Sequence, residues 1–417
     1  MTGRVGRNRV VVTGVGVVAP NGIGKDSFWT SLVHGQTGIG PITLFDTEGS
    51  PCKIAGEIRD FDPAKFIAPQ LKPKRMGRFT QLALVATDMA IEDSGLELEA
   101  LRRIPRLPLF MGVGSSAVDI LEEHAHRVRT LGQDKGVPYS TFAFMPHSAA
   151  ATISSVLRLN TEPVTISTAC AAGLDSVGLA FAAVRSGRCD LAIAGGADAP
   201  ITQLCFASFA AARLVPTEAL DPRKASRPFD LGRTSGVISE GAGVVILENL
   251  DHARARNHEA YLELNGYGMS MDPSLDDHYG GMAEAIRMAL ANAGKRPCDV
   301  DFICAHGPGH PVMDRIETGI LKEVFGAHAY SIPVSSIKGN TGNPLAAAGV
   351  HQVVATSLAF RHGLIPPTAN LERPDPDCDL DIVTGAPRLA RLHCALINTH
   401  GLGGRNGSLV VGRVKES

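Results

Sequence analysis

Hydrophobic residues along this chain fall into two recurring patterns. Short, mainly apolar runs occupy residues 9–12, 107–113, 164–166, 191–197, 300–304 and 408–411, and most of them end in glycine-rich turns. Such runs predict strands buried on both faces. Between them lie longer stretches with helical spacing. Leu174, Val177, Phe181 and Val184 form one apolar stripe, and Ala83, Ala86, Met89, Ala90 and Ile91 belong to another. Helical pattern also begins near Lys25 and covers residues 282–293 and 346–350. Alternation of this kind predicts an α/β layered fold. Residues 236–248 predict a turn and strand that end a first half, and residues 250–257 a charged helix at the midpoint. A second half then starts over, with a strand at 261–264 running into Asn265-Gly266-Tyr267-Gly268. The order of elements predicts a duplication, divided as residues 1–255 and 256–417.

The first strand leads into Thr13-Gly14-Val15-Gly16-Val17-Val18-Ala19, which matches the G-x-G-x-x-A dinucleotide pattern. That fingerprint needs a helix to open at its third small residue, so that N–H groups face a pyrophosphate. Here Pro20-Asn21-Gly22 makes a turn instead. Close backbone packing is the expected use of these glycines.

Composition narrows the picture further. The 417 residues exceed a typical domain more than twofold, which fits two domains or one large duplicated fold. A net charge of −2 gives no whole-chain case for nucleic acid or a membrane surface. Eight cysteines include no C-x-x-C pair, so neither a metal site nor a disulfide framework is indicated, and reduced thiols in a cytoplasmic chain are expected. The basic residues 1–7 are followed by an apolar stretch broken by Gly14, Gly16, Pro20 and Gly22, unlike a secretory segment. No apolar run reaches membrane-spanning length.

Candidate chemistry gathers at strand-to-loop junctions. After residues 164–166 comes Ser167-Thr168-Ala169-Cys170-Ala171-Ala172-Gly173, with Cys170 placed at a helix N-terminus. There the macrodipole and unpaired N–H groups are expected to lower the thiol pKa. Small neighbours leave room for a substrate beside the sulfur. The same stretch also reads as a buried structural cysteine. His306, in Ala305-His306-Gly307-Pro308-Gly309-His310, ends another strand. A third junction is Ser335-Ser336-Ile337-Lys338-Gly339-Asn340-Thr341-Gly342-Asn343, and a fourth is His400-Gly401-Leu402-Gly403-Gly404. Glycine turns of this kind either close strands tightly or present N–H groups to an oxyanion.

At these junctions, and at Val11-Val12-Thr13-Gly14, Phe61-Asp62-Pro63, Arg227-Pro228-Phe229-Asp230 and Glu240-Gly241-Ala242-Gly243, the chain resembles the β-ketoacyl-acyl-carrier-protein synthases. The resemblance is to the synthase I/II branch of the thiolase-like superfamily and spans nearly the whole chain. It implies a thiolase-like fold, a duplicated five-layer αβαβα architecture. It further implies that Cys170 accepts an acyl group from a phosphopantetheine thioester, with the N–H groups of Cys170 and Leu402 as oxyanion hole. A malonyl thioester would then lose carbon dioxide, and its enolate would attack the acyl-Cys170 carbonyl. His306 matches the family's first active-site histidine, which hydrogen-bonds the malonyl thioester oxygen. Lys338 and Glu317 match an ion pair that orders the site. Lys74 and Arg75, with Arg213 as a weaker candidate, match a patch that receives the acidic acyl carrier protein. No cofactor or metal of its own is implied, since the carrier brings the phosphopantetheine.

The sequence departs from the family pattern at telling positions. Asn343 stands where a second histidine is expected; an amide donates a hydrogen bond but neither carries charge nor exchanges a proton near neutrality. Pro308 and His310 replace two threonines that touch the pantetheine, and Leu402 replaces the phenylalanine gate between His400, Gly401 and the following glycines. These changes predict an unusual acyl substrate or carrier, in specialised metabolism. His310 and His400 flank the site, whereas His147, His278 and His351 read as structural or surface residues. Three functions fit: a ketosynthase that condenses, an acyltransferase that passes the acyl group to an oxygen or nitrogen nucleophile or to a carrier, and a non-catalytic chain-length subunit, which Cys170 argues against. A homodimer is expected, or a heterodimer with a related chain.

Overall fold

The protein's structure is a computed structural model that describes residues 8–218, 221–273 and 280–415; residues 1–7 and His278 lie outside these. Ten strands carry the fold: β1 (Val10–Ala19), β2 (Leu107–Val113), β3 (Thr161–Ile166), β4 (Leu191–Asp198), β5 (Gly241–Asn249), β6 (Leu262–Met271), β7 (Phe302–Cys304), β8 (Val334–Ser335), β9 (Cys394–Gly401) and β10 (Arg405–Gly412). Six long helices pack against them: α1 (Arg78–Asp93), α2 (Ser148–Leu157), α3 (Ala172–Arg185), α4 (Gly280–Ala293), α5 (Pro311–Phe325) and α6 (Ala348–His362).

The spatial strand order is β8-β7-β9-β10-β6-β1-β5-β4-β2-β3. Starting from the central pair, each half runs first strand, fifth, fourth, second, third. Pairing directions repeat as well. The first, fifth and fourth strands pair antiparallel, and the fourth, second and third parallel, in both halves. The halves join through a short antiparallel contact between residues 10–12 of β1 and 262–264 of β6. This is the duplicated α/β architecture that the sequence predicts.

Helices α3 and α6 fill the space between the two half-sheets, with α1 and α2 outside one and α4 and α5 outside the other. Residues 348–360 of α6 are buried without a break. A helix buried on every side sits inside a core, and that places the N-termini of both central helices at the middle of the molecule. Chemistry carried on the loops before them therefore converges.

The strands read at 261–264 and 408–411 extend to Leu262–Met271 and Arg405–Gly412, and Cys394–Gly401 is a strand absent from the sequence reading. Two further differences have clear causes. The first strand continues to Ala19, through the glycines, because Gly14 and Gly16 let α1 lie directly on the sheet. A Cβ on Gly16 would fall on the carbonyl oxygen of Ala86. No helix opens at this glycine pattern. The strand ending at Ile166 is not buried: β3 is the last strand of the sheet, and Val164 is 37% exposed. Among the described residues, no helix is long and apolar enough to cross a membrane.

Candidate active site

Cys170 lies in a single 3-10 turn, Ala169–Ala171, that feeds α3. The turn is sharp: Ala169 has φ of +51°, a conformation that side chains disfavour. It lifts the sulfur towards a cavity of about 690 Å3, whose walls include Cys170, His306, Asn343, Pro308, His400 and Leu402. Cys170 itself is only 8% exposed.

That enclosure overturns the expected lowering of the thiol pKa. Burial pushes the Cys170 thiol up, because a thiolate loses its hydration there. The Lys338 charge, the Asn343 amide and the Leu402 N–H pull in the other direction, and the Asp198 carboxylate opposes them. Desolvation outweighs the rest. The Nδ2 of Asn343 donates to Sγ across 3.7 Å. Asn343 is anchored by its own backbone N–H, which donates to the Val237 carbonyl at 2.7 Å.

His306 follows β7 and is almost fully buried. Its Nδ1 accepts from Lys338 Nζ at 3.1 Å and from the backbone N–H of His400 at 3.2 Å. Both partners can only donate, so Nδ1 keeps its lone pair and the ring proton sits on Nε2. Burial drives the imidazole pKa well below its ordinary value, and the neighbouring Lys338 and His400 push the same way. His306 is therefore a neutral N–H donor on the cavity wall.

The expected Lys338–Glu317 ion pair is not formed directly. Lys338 Nζ instead donates to the His306 carbonyl and ring. Glu317, on α5, accepts the backbone N–H groups of His306 and Gly307, each at 2.8 Å. Its carboxylate shapes the loop that carries the histidine. Lys338 feels Glu317 only through the surrounding field, and burial lowers its pKa to about 8.

The remaining residues divide cleanly. Pro308 is buried in the cavity wall, and His310 caps α5, its Nδ1 accepting from the Val312 N–H at 3.2 Å. Burial lowers the His310 pKa, helped by Arg233. Gly401 is buried beside the nucleophile turn, while Leu402 is 69% exposed at the cavity mouth. His400 is buried, with Nδ1 2.8 Å from Asn406 Oδ1. Lys74, Arg75 and Arg213 are exposed and lie outside the cavity. His351 is a core residue, with Nε2 3.0 Å from the Ala242 carbonyl, and His147 is on the surface.

Sequence reasoning missed Asp198. This fully buried carboxylate, at the end of β4, accepts the N–H groups of Gly114, Ser115 and Ala346 and so ties down two walls of the cavity. Burial raises its pKa to about 6. An acidic residue closing an otherwise apolar strand was the available signal. Phe209, Leu214 and Ile238 also line the cavity and are apolar residues with no pattern that would mark them.

Fold and cavity together define a protein of the thiolase-like class. Residues 7–253 match the beta-ketoacyl synthase N-terminal domain, and residues 261–372 the beta-ketoacyl synthase C-terminal domain. The chain belongs to the β-ketoacyl synthase family. It is 38% identical over 413 residues to 3-oxoacyl-[acyl-carrier-protein] synthase 2 of Coxiella burnetii, covering 98% of this chain and 99% of that protein. It is also 38% identical over 427 residues to the tetracenomycin polyketide synthase ketoacyl synthase alpha subunit of Streptomyces glaucescens, covering 99% of each. Among solved structures, a type II polyketide ketosynthase in complex with its acyl-carrier protein and bound to the hexaketide superposes with a TM-score of 0.87. That match is 33% identical and covers 98% of this chain and 100% of that one.

Proposed function

We propose that this chain is a ketosynthase that loads an acyl group onto Cys170 and condenses it with a malonyl-carrier thioester. The observation that carries the reading is the convergence of Cys170, His306, Asn343 and the Leu402 N–H on one largely apolar cavity. In the first step the Cys170 sulfur attacks the carrier thioester. A C–S bond to Cys170 forms, and the carrier thiol leaves with the proton. The N–H groups of Cys170 and Leu402 receive the oxyanion. In the second step malonyl loses carbon dioxide, and the electron pair left behind becomes an enolate on the thioester oxygen. The Nε2–H of His306 and the amide of Asn343 donate to that oxygen. The enolate carbon attacks the acyl carbonyl, a C–C bond forms, and Cys170 leaves as thiolate. Neither His306 nor Asn343 has to exchange a proton.

The partner is an acyl carrier protein, and the exposed Lys74 and Arg75, with Arg213, suit its acidic surface. Open hydrogen-bonding groups on the outer edge of β3 favour pairing with a second chain, either a copy or a related subunit. The reaction belongs to fatty acid or polyketide synthesis in the cytoplasm. Intact mass of the protein after incubation with an acyl carrier tests the reading. The parent is expected to gain the acyl mass and Cys170→Ala to gain none; an adduct that survives this substitution overturns it.

A further inference from the structure

Asp175 sits one turn into α3, between the apolar Leu174 and Val177, and is 2% exposed. Its carboxylate is spent on three partners, Thr168 from the turn just before the helix and Tyr267 and Arg405 from the second half of the chain. Oδ2 accepts from the Thr168 hydroxyl at 2.8 Å and from Arg405 Nε at 2.9 Å. Oδ1 accepts from the Tyr267 hydroxyl. Thr168 is two residues before Cys170, and Arg405 is three residues after Leu402. One oxygen atom therefore joins the turn that carries the nucleophile to the turn that carries the gate. The backbones also meet here: a Cβ on Gly401 would lie 2.7 Å from the Thr168 carbonyl oxygen and 3.3 Å from the Ala169 Cβ.

Resting on the reaction proposed above, we propose that Asp175 is a positioning residue, a carboxylate clip that sets the distance between the Cys170 turn and the Leu402 N–H. The two donors of the oxyanion hole come from opposite halves of the chain, and no covalent constraint fixes their separation. Preorganised donors stabilise an oxyanion only if they stay where it develops, and small misplacements slow a reaction steeply. Arg405 is itself held on its other side, with Nη2 2.8 Å from the Met269 sulfur. Charge on both sides of the Asp175–Arg405 contact makes it stiffer than a neutral hydrogen bond. Asp175 touches no reacting atom. It acts through Thr168 and Arg405.

The experiment compares the parent with Thr168→Val, Arg405→Lys, the double variant and Asp175→Asn. Acyl loading of Cys170 is followed by rapid-quench intact mass, and melting temperature is recorded for each. Thr168→Val keeps the side-chain shape and removes one arm of the clip. Its loading rate at saturating acyl carrier is expected to fall on the order of tenfold, with half-saturation by the carrier and melting temperature unchanged. The pH profile of Cys170 alkylation is expected to move upward, since the Leu402 N–H supports the thiolate. The double variant is expected to be no slower than the slower single one, because both cut the same clip. Unchanged loading in Thr168→Val and Arg405→Lys, or losses that simply multiply in the double variant, would overturn the proposal. A parent that never gains an acyl mass on Cys170 would instead remove the ketosynthase reading beneath it.

Discussion

Lys338 Nζ approaches His306 Nδ1 to 3.1 Å, and this contact decides which nitrogen of the histidine faces chemistry. An ammonium cannot accept, so the ring must present Nε2–H to the cavity. The pair also sets a pH window. His306 stays neutral from mildly acidic pH upward because burial, then Lys338 and His400, hold its pKa well below the ordinary range. Lys338, lowered to about 8 chiefly by burial, keeps its charge below that pH and loses it above. Condensation is therefore expected to be flat from about pH 6.5 to 7.5 and to fall as pH rises through about 8. Lys338→Ala should remove that alkaline limb and lower condensation roughly 100-fold. Initial rates of ketide formation across pH check both.

Among the described residues, Asn343 is the one side chain that donates to the resting sulfur. Its removal takes away a contact that lowers a thiol pKa already raised by burial. Asn343→Ala is expected to shift the alkylation profile of Cys170 to higher pH and to slow alkylation at neutral pH on the order of tenfold. Timed iodoacetamide labelling read by mass provides the measurement. An unshifted profile would mean that the amide serves only the second half-reaction.

Carrier docking should be electrostatic. Lys74 and Arg75 are exposed and stand clear of the cavity, so replacing both with alanine is expected to raise KM for the acyl carrier roughly tenfold and leave kcat intact. Added salt should weaken carrier binding in the parent more than in the double variant. Steady-state kinetics at low and high ionic strength distinguish this from a loss of fold.

Gly16 makes a prediction about stability far from the chemistry. Its α-carbon lies against the Ala86 carbonyl of α1, and a methyl group there has nowhere to go. Gly16→Ala is expected to destabilise the protein by ~3 kcal/mol, since either β1 or α1 must move. Chemical denaturation followed by circular dichroism measures it.

Much of this architecture was legible in the chain. The run at residues 107–113 coincides with β2, and the stripe Leu174, Val177, Phe181 and Val184 lies on the buried side of α3. Misreadings had physical causes. Gly14 and Gly16 serve the close backbone packing expected of them, but from within the strand and not beyond its end. Val164-Thr165-Ile166 has the composition of a core strand, but only topology reveals that it borders the sheet. At Cys170 a local argument from the helix terminus ignored how tightly the site is closed. The family resemblance pairs Glu317 with Lys338, while the partners it takes here are backbone N–H groups, which leave no trace in a sequence. Asp175 did leave one, as a lone carboxylate in an apolar helical stripe.

The most direct test of the account is carbon dioxide release from carboxyl-labelled malonyl carrier by enzyme already acylated on Cys170. Release equal in amount to the extended β-ketoacyl product, and abolished in Cys170→Ala, is the predicted result. Acyl-Cys170 that forms normally but passes its acyl group to another acceptor, with no carbon dioxide and no extended product, would contradict it.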